Sequence, residues 1–265
     1  MKKIIYTLAL AIVFSACEEK IDLDLSFAGQ KPVVEGRVTT ETDSSYIQLS
    51  YTAPYNSNGK PPAITTAVVE VTKDNGTPVI FNHTANGVYK PAAGYVGVKN
   101  STYHLKVVID GKEYTSTSKL EPMFSVDDTL EHVFKPKEGF LDEGYAITFW
   151  GTYDQAPVKN YWFKYGKNDT LEEGDVLFDN ADIELNKRSA FELPFFRPQK
   201  GDSVMLYFRS IDVYAYNYLY ALSMLNSGAP GPFQAPPANP PTNIKGGALG
   251  FFYAADVVRR WKIVN

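Results

Sequence analysis

The stretch TYHLKVVIDGKEYTSTS, residues 102–118, decides the fold. On its first arm Tyr103, Leu105, Val107 and Ile109 alternate with His104, Lys106 and Val108, the period of two of a half-buried strand. Asp110-Gly111 follows, a pair that tolerates the positive φ angles of a two-residue hairpin turn. The second arm is again rich in β-branched and aromatic residues, which pack well on a pleated surface. Toward the N-terminus the rhythm repeats in PVVEGRVTT (32–40) and SSYIQLSYT (44–52). AVVEVTKDNGTPVIF (67–81) reads as two strands around Asn75-Gly76, NGVYKP (86–91) as a short strand, and NSNGKPP (56–62) as a loop. About seven strands without a helical period predict an Ig-like or transthyretin-like β-sandwich over residues 31–120.

Toward the C-terminus the pattern breaks at Leu120-Glu121-Pro122, a candidate boundary to a second β-rich domain over 121–265. YAITFWGTY (145–153), KNYWFKYG (159–166) and DSVMLYFRSID (202–212) read as strands there. NDTLEEGDVLFDNADIEL (168–185) reads as a long acidic loop with short strands. One amphipathic helix is expected over 212–226, with Asp212 as N-cap and Tyr214, Tyr218, Leu222 and Leu225 on one face. The loop 229–243 follows, in a stretch whose six prolines neither continue a helix nor sit inside a sheet. Its Pro230, Pro232, Phe233, Pro236, Pro237, Pro240 and Pro241 form a stiff candidate surface for a partner; the other reading is a strap across the second domain anchored by Phe233. ALGFFYAADVVRRWKIV (248–264) returns to strand.

The chain opens with Lys2 and Lys3, an apolar run from Ile4 to Phe14, small residues Ser15 and Ala16, and then Cys17. That order is a secretory signal, residues 1–16, and the run is too short to span a bilayer. The stretch resembles a bacterial lipobox, so Cys17 is the expected lipidation site, with residues 17–30 as tether. Several acyl chains would then hold the protein firmly, at about 0.8 kcal/mol per buried CH₂. Glu18 and Glu19 resemble the acidic tag that sends lipoproteins to the cell exterior in Bacteroidetes. With one cysteine no internal disulfide forms, and 44% apolar content must stabilise the fold by packing. A net charge of −4 without a basic run lacks the electrostatic footprint of nucleic-acid binding.

Catalytic and metal motifs are thin. No G-x-S-x-G elbow occurs, and His83, His104 and His132 share no ligand spacing. Thirty acidic residues make any glycosidase-like carboxylate pair uninformative. Asp169, Glu172, Glu173, Asp175, Asp179 and Asp182 miss the spacing of an EF-hand and read as a solvated loop. No catalytic residue, metal ligand or cofactor is expected. Trp150, Tyr153, Tyr161, Trp162 and Tyr165 read mostly as core, with one or two candidates for ligand contact. Asp128-Thr129-Leu130, Asp169-Thr170-Leu171 and Asp202-Ser203-Val204 resemble a short bacterial O-glycosylation motif; Thr129 and Thr170, in expected loops, are the candidates, whereas Ser203 begins a strand.

VVEGRVTT with NGVYKP and GKEYTS, the Tyr-rich YAYNYLYALSMLNSG running into GPFQAPPANPPTNIKGGALGFFYA, and the order of signal, Cys17, sandwich and second β domain resemble the Bacteroidetes outer-membrane lipoprotein family catalogued as domain of unknown function 4249. The resemblance implies a surface-exposed, non-catalytic lipoprotein of the outer membrane, an accessory or ligand-binding partner of a TonB-dependent transporter in nutrient uptake. Of functional residues it transfers the lipid-bearing cysteine alone, at Cys17. The alternatives are a surface enzyme acting on glycans or peptides, and an adhesin or scaffold.

Overall fold

The computed structural model describes residues 29–53, 59–153, 159–168, 170–179, 184–226 and 239–265. Cys17, most of the tether, and Pro230, Pro232, Phe233, Pro236 and Pro237 lie outside these described residues.

The Asp110-Gly111 hairpin joins β6 (Thr102–Ile109) to β7 (Lys112–Lys119), with φ of 49° and 79° at its two turn residues. Before it come β1 (Pro32–Thr39), β2 (Tyr46–Tyr51), β3 (Val68–Lys73), β4 (Val79–Ala85) and β5 (Val88–Lys90). At the β3–β4 turn the positive φ falls on Asp74, at 50°, one residue ahead of the Asn75-Gly76 pair. The seven strands pair in the order β1-β2-β5-β4-β3-β6-β7. An eighth strand returns from far along the chain: β15 (Leu249–Ala255) lies parallel to β1, with Val34 beside Gly250 and Gly36 beside Phe252. The sheet curls until its edges nearly meet. Ala254 N donates to Ser118 Oγ at 2.8 Å, and Lys245 exchanges backbone bonds with Thr115 of β7. Asn243 donates to Phe252 O and accepts from Phe252 N, at 2.7 and 3.0 Å, while Ser116 Oγ donates to Asn243 O. The residues just after Pro240 and Pro241 therefore strap the seam of the first sheet. Its interior holds Val34, Ile47, Leu49, Phe81, Leu105, Val107 and Phe252, all almost fully buried.

The second core lies between two four-stranded sheets. One contains β8 (Ser125–Val126), β9 (Glu131–Lys135), β10 (Gly144–Thr152) and β13 (Arg188–Glu192); the other runs β12 (Thr170–Asp179), β11 (Asn160–Lys167), β14 (Ser203–Ile211), β16 (Val257–Ile263). Phe124, Phe149, Tyr153, Tyr161, Phe163 and Phe208 fill it with stacked and edge-to-face rings. The stretch read as an acidic loop is a correction: β12 is a ten-residue strand antiparallel to β11. Val176 and Phe178 turn inward to this core, so pairing and two apolar anchors outweigh the strand-averse acidic composition. The protein is mainly β with one helix, as its sequence predicts.

That helix, α1 (Val213–Asn226), starts where expected: Asp212 Oδ1 accepts from Ala215 N at 2.9 Å. Its buried face is only partly the expected one: Tyr218 stacks on Phe251 at 4.2 Å, and Leu222 and Leu225 are half-buried. Ala215, Tyr216 and Leu219 pack with Ile211, Trp162 and Tyr253, whereas Tyr214 is 62% exposed. The helix has no charged residue and is apolar nearly all round, so its period alone does not select a face. Burial pushes the Asp212 carboxyl above its ordinary range, and bonds from Ser118 Oγ, Ala215 N and Tyr214 N pull it back only in part. A carboxyl raised in the folded state contributes most in acid, and the contribution fades as pH rises through the folded-state value. Asp212→Asn keeps the cap acceptor and removes the buried charge. Its melting temperature should equal or exceed that of the parent at neutral pH, with a flatter profile between about pH 4 and 7. Thermal melts across that range check this; a drop of several degrees at neutral pH refutes it.

The expected boundary at residue 120 is where the chain leaves the first sheet, and β15 then crosses back. Residues 31–265 form one unit. The single stretch 248–264 supplies β15 to the first sheet and β16 to another, with Asp256 as the joint. Its carboxylate accepts from Thr40 Oγ1 and Met123 N, both at 2.8 Å, and meets Lys99 Nζ at 2.6 Å.

Candidate functional site

The outer face of the first sheet carries a groove of about 810 Å³. Its floor follows from strand register. One cross-strand row reads Phe251, Glu35, Gln48, Val88, and the next reads Tyr253, Arg37, Tyr46, with Lys90 at the end of β5 beyond them. The wall is the turn Glu41–Ser44 together with Arg259 of β16. The size lies within the range of small-molecule sites.

Most of the cations are fixed. Arg37 Nε donates to Ser44 O at 3.0 Å, and its guanidinium lies 4.6 Å from the Tyr46 ring centre. Arg259 forks onto Glu41 at 2.6 and 2.9 Å and covers the Tyr207 ring, whose hydroxyl donates to the same carboxylate. Burial raises the Glu41 carboxyl, but bonds from Arg259, Ser44 and Tyr207 outweigh it and leave the group below its ordinary range. Behind the wall, Arg209 is only 4% exposed, and its Nε and Nη1 have no hydrogen-bond partner. It sits between Trp162 and Tyr207 at 4.1 and 4.0 Å, two ring faces that each contribute about 2 kcal/mol to a desolvated cation. Tyr253 lies buried between Arg209 and Arg37; burial raises its phenol and the two guanidinium groups pull it back.

Glu35 and Lys90 differ from these. Both are exposed, and neither joins an ion pair among the described residues. Desolvation on one side still raises the Glu35 carboxyl. The groove is lined by donors, acceptors and the Tyr46 ring, and none of the three histidines reaches it. His83 accepts from Gly87 N, His104 pairs across the sheet with Thr117 at 3.0 Å, and His132 packs edge-on to Tyr145. Among the described residues no group of three His, Cys, Asp or Glu could hold a metal ion, and no helix is long and apolar enough to cross a membrane.

Among the described residues, none of those singled out in the sequence lines this groove. Thr129 is exposed in the connection between β8 and β9. Thr170 is exposed but opens β12, a correction to its expected loop, because it pairs with Lys167 of β11. Pro240 and Pro241 lead into the seam strap. Of the five strand aromatics, Tyr153, Tyr161 and Tyr165 are core, Trp162 holds Arg209, and Arg188 covers Trp150 at 4.0 Å. The signal for the groove was the outward set Glu35, Arg37, Tyr46 and Gln48, which alternation alone presents as a solvated face. Lys90 and Arg259 join it only through folding.

A family model described as Domain of unknown function (DUF4249) matches residues 18–260. No curated protein matches the chain.

Proposed function

The chain belongs to the DUF4249 family, and from that premise we propose that it is a non-catalytic, surface-exposed outer-membrane lipoprotein, a ligand-binding accessory of a TonB-dependent transporter. The signal order ending at Cys17 supports the anchor, and Glu18-Glu19 supports outward display. The observation that carries the binding role is the groove itself, about 810 Å³ on the outer face of the first sheet, lined by donors, acceptors and the Tyr46 ring. The lining favours binding over hydrolysis: Glu41 is tied to Arg259, and the groove offers no histidine beside a nucleophile.

The test is purification of the tagged, lipidated protein from its own outer membrane in mild detergent, followed by identification of what accompanies it. A near-stoichiometric TonB-dependent barrel is the expected result. Its absence, with Cys17→Ala protein remaining in the membrane fraction, removes both the partner and the anchor.

A further inference from the structure

We infer that the groove on β1, β2 and β5 binds a neutral, hydroxyl-rich ligand, a saccharide chain. This rests on the binding role just proposed and names its ligand class.

Charge comes first. Glu35, Glu41 and Asp43 face Arg37, Lys90 and Arg259, three of each sign, so the groove offers a net-charged ligand no overall attraction. The committed pairs sharpen this. Arg259 is neutralised by Glu41, Arg37 is held by Ser44, and Asp43 accepts from Gly94 N, leaving Lys90 and Glu35 as the charged groups of the lining without an ion pair or hydrogen bond among the described residues. An apolar ligand fares no better, because Val88 and the Tyr46 ring are the main apolar surfaces of the lining.

Spacing separates the remaining classes. Glu35 stands on β1 and Lys90 on β5, with β2 between them, so their backbones are about 10 Å apart across the strands. A single amino acid carries its ammonium and carboxylate on one carbon and matches only a small part of that span. A saccharide spreads hydroxyls along such a distance, and each hydroxyl both donates and accepts. It can donate to Glu35 and accept from Lys90, making the stronger, charge-assisted kind of hydrogen bond at each end. Gln48 stands beside Glu35 in the middle of the floor, with its amide held by Asn86 O at 2.8 Å. Tyr46 supplies a ring for the C–H face of a pyranose, and the Arg37 guanidinium stacked on it fixes its orientation. The floor is paired strand, so these groups are placed before a ligand arrives.

The experiment is titration calorimetry on the full chain in a detergent without a sugar headgroup. The probes are neutral oligosaccharides of two to six units, oligouronates of matching length, and dipeptides. The expected result is binding of a neutral oligosaccharide that weakens roughly tenfold in Glu35→Gln and in Tyr46→Ala, and less in Lys90→Met. Thr117→Ala, on another strand face, should leave it unchanged. Glu35 and Lys90 are exposed, so their variants keep the fold, and thermal melts verify this. Tighter binding of oligouronates or dipeptides, neutral binding that survives all three groove substitutions, or no neutral oligosaccharide binding at millimolar concentration would each overturn the inference. A transporter that co-purifies while no saccharide binds would sink this inference alone. Saccharide binding without a transporter would sink only the accessory reading.

Discussion

Gly250→Val should destabilise the protein by about 3–5 kcal/mol, the scale of a large core truncation. Gly250 has φ of 97°, a conformation that costs a β-branched residue heavily. A Cβ there would also run into the carbonyl oxygen of Val34 on the paired strand. The strand must move, and β15 carries Phe252 and Ala254, both fully buried in the first core. The loss therefore includes burial as well as strain. Gly201 provides the control: its φ is 92°, but nothing lies within 4 Å of an added Cβ. Gly201→Ala should cost about 1 kcal/mol, from backbone strain alone. Urea denaturation followed by circular dichroism measures both. Equal losses would show that the close approach of β15 to β1 contributes little.

Asp256→Ala should cost about 2–4 kcal/mol, because it removes a buried acceptor of two hydrogen bonds. The side chain is 2% exposed. Its loss leaves the Thr40 hydroxyl and Met123 N–H, both half-buried, without their acceptor, although Thr40 Oγ1 still accepts from Val257 N; a donor left unpaired costs about 1–3 kcal/mol. Lys99 is 54% exposed, so water compensates the lysine and the ion pair itself contributes little. A double-mutant cycle with Lys99→Met should give a coupling of about 1 kcal/mol or less. A coupling that accounts for most of the Asp256→Ala loss would place the stabilisation in the ion pair instead of the hydrogen bonds.

Alternation made most strands legible. β1 to β7 follow the spacing of apolar residues, and the Asp110-Gly111 turn is where its chemistry puts it, because a hairpin is a local structure whose signal lies within one short stretch. β8, β9 and β13 are short, between two and five residues, and gave no clear period. In β12 the acidic side chains hid a strand whose formation depends on its neighbour β11. The helix was read correctly in extent and only partly in face, because fourteen residues without a charge present no polar side to solvent.

The sequence by itself determined a mainly β chain with one capped helix and membership of its family, since strand alternation, turn residues and an N-cap act over a few neighbours. Only the tertiary structure decided that β15 and β16, adjacent in one apolar stretch, belong to different sheets. Partner choice between sheets depends on which edge is open and which side chains fill which core, and residues 248–264 contain neither. The groove has the same origin. Glu35, Tyr46, Lys90 and Arg259 span more than two hundred positions and meet because β1, β2, β5 and β16 are brought together by pairing and packing, not by any motif.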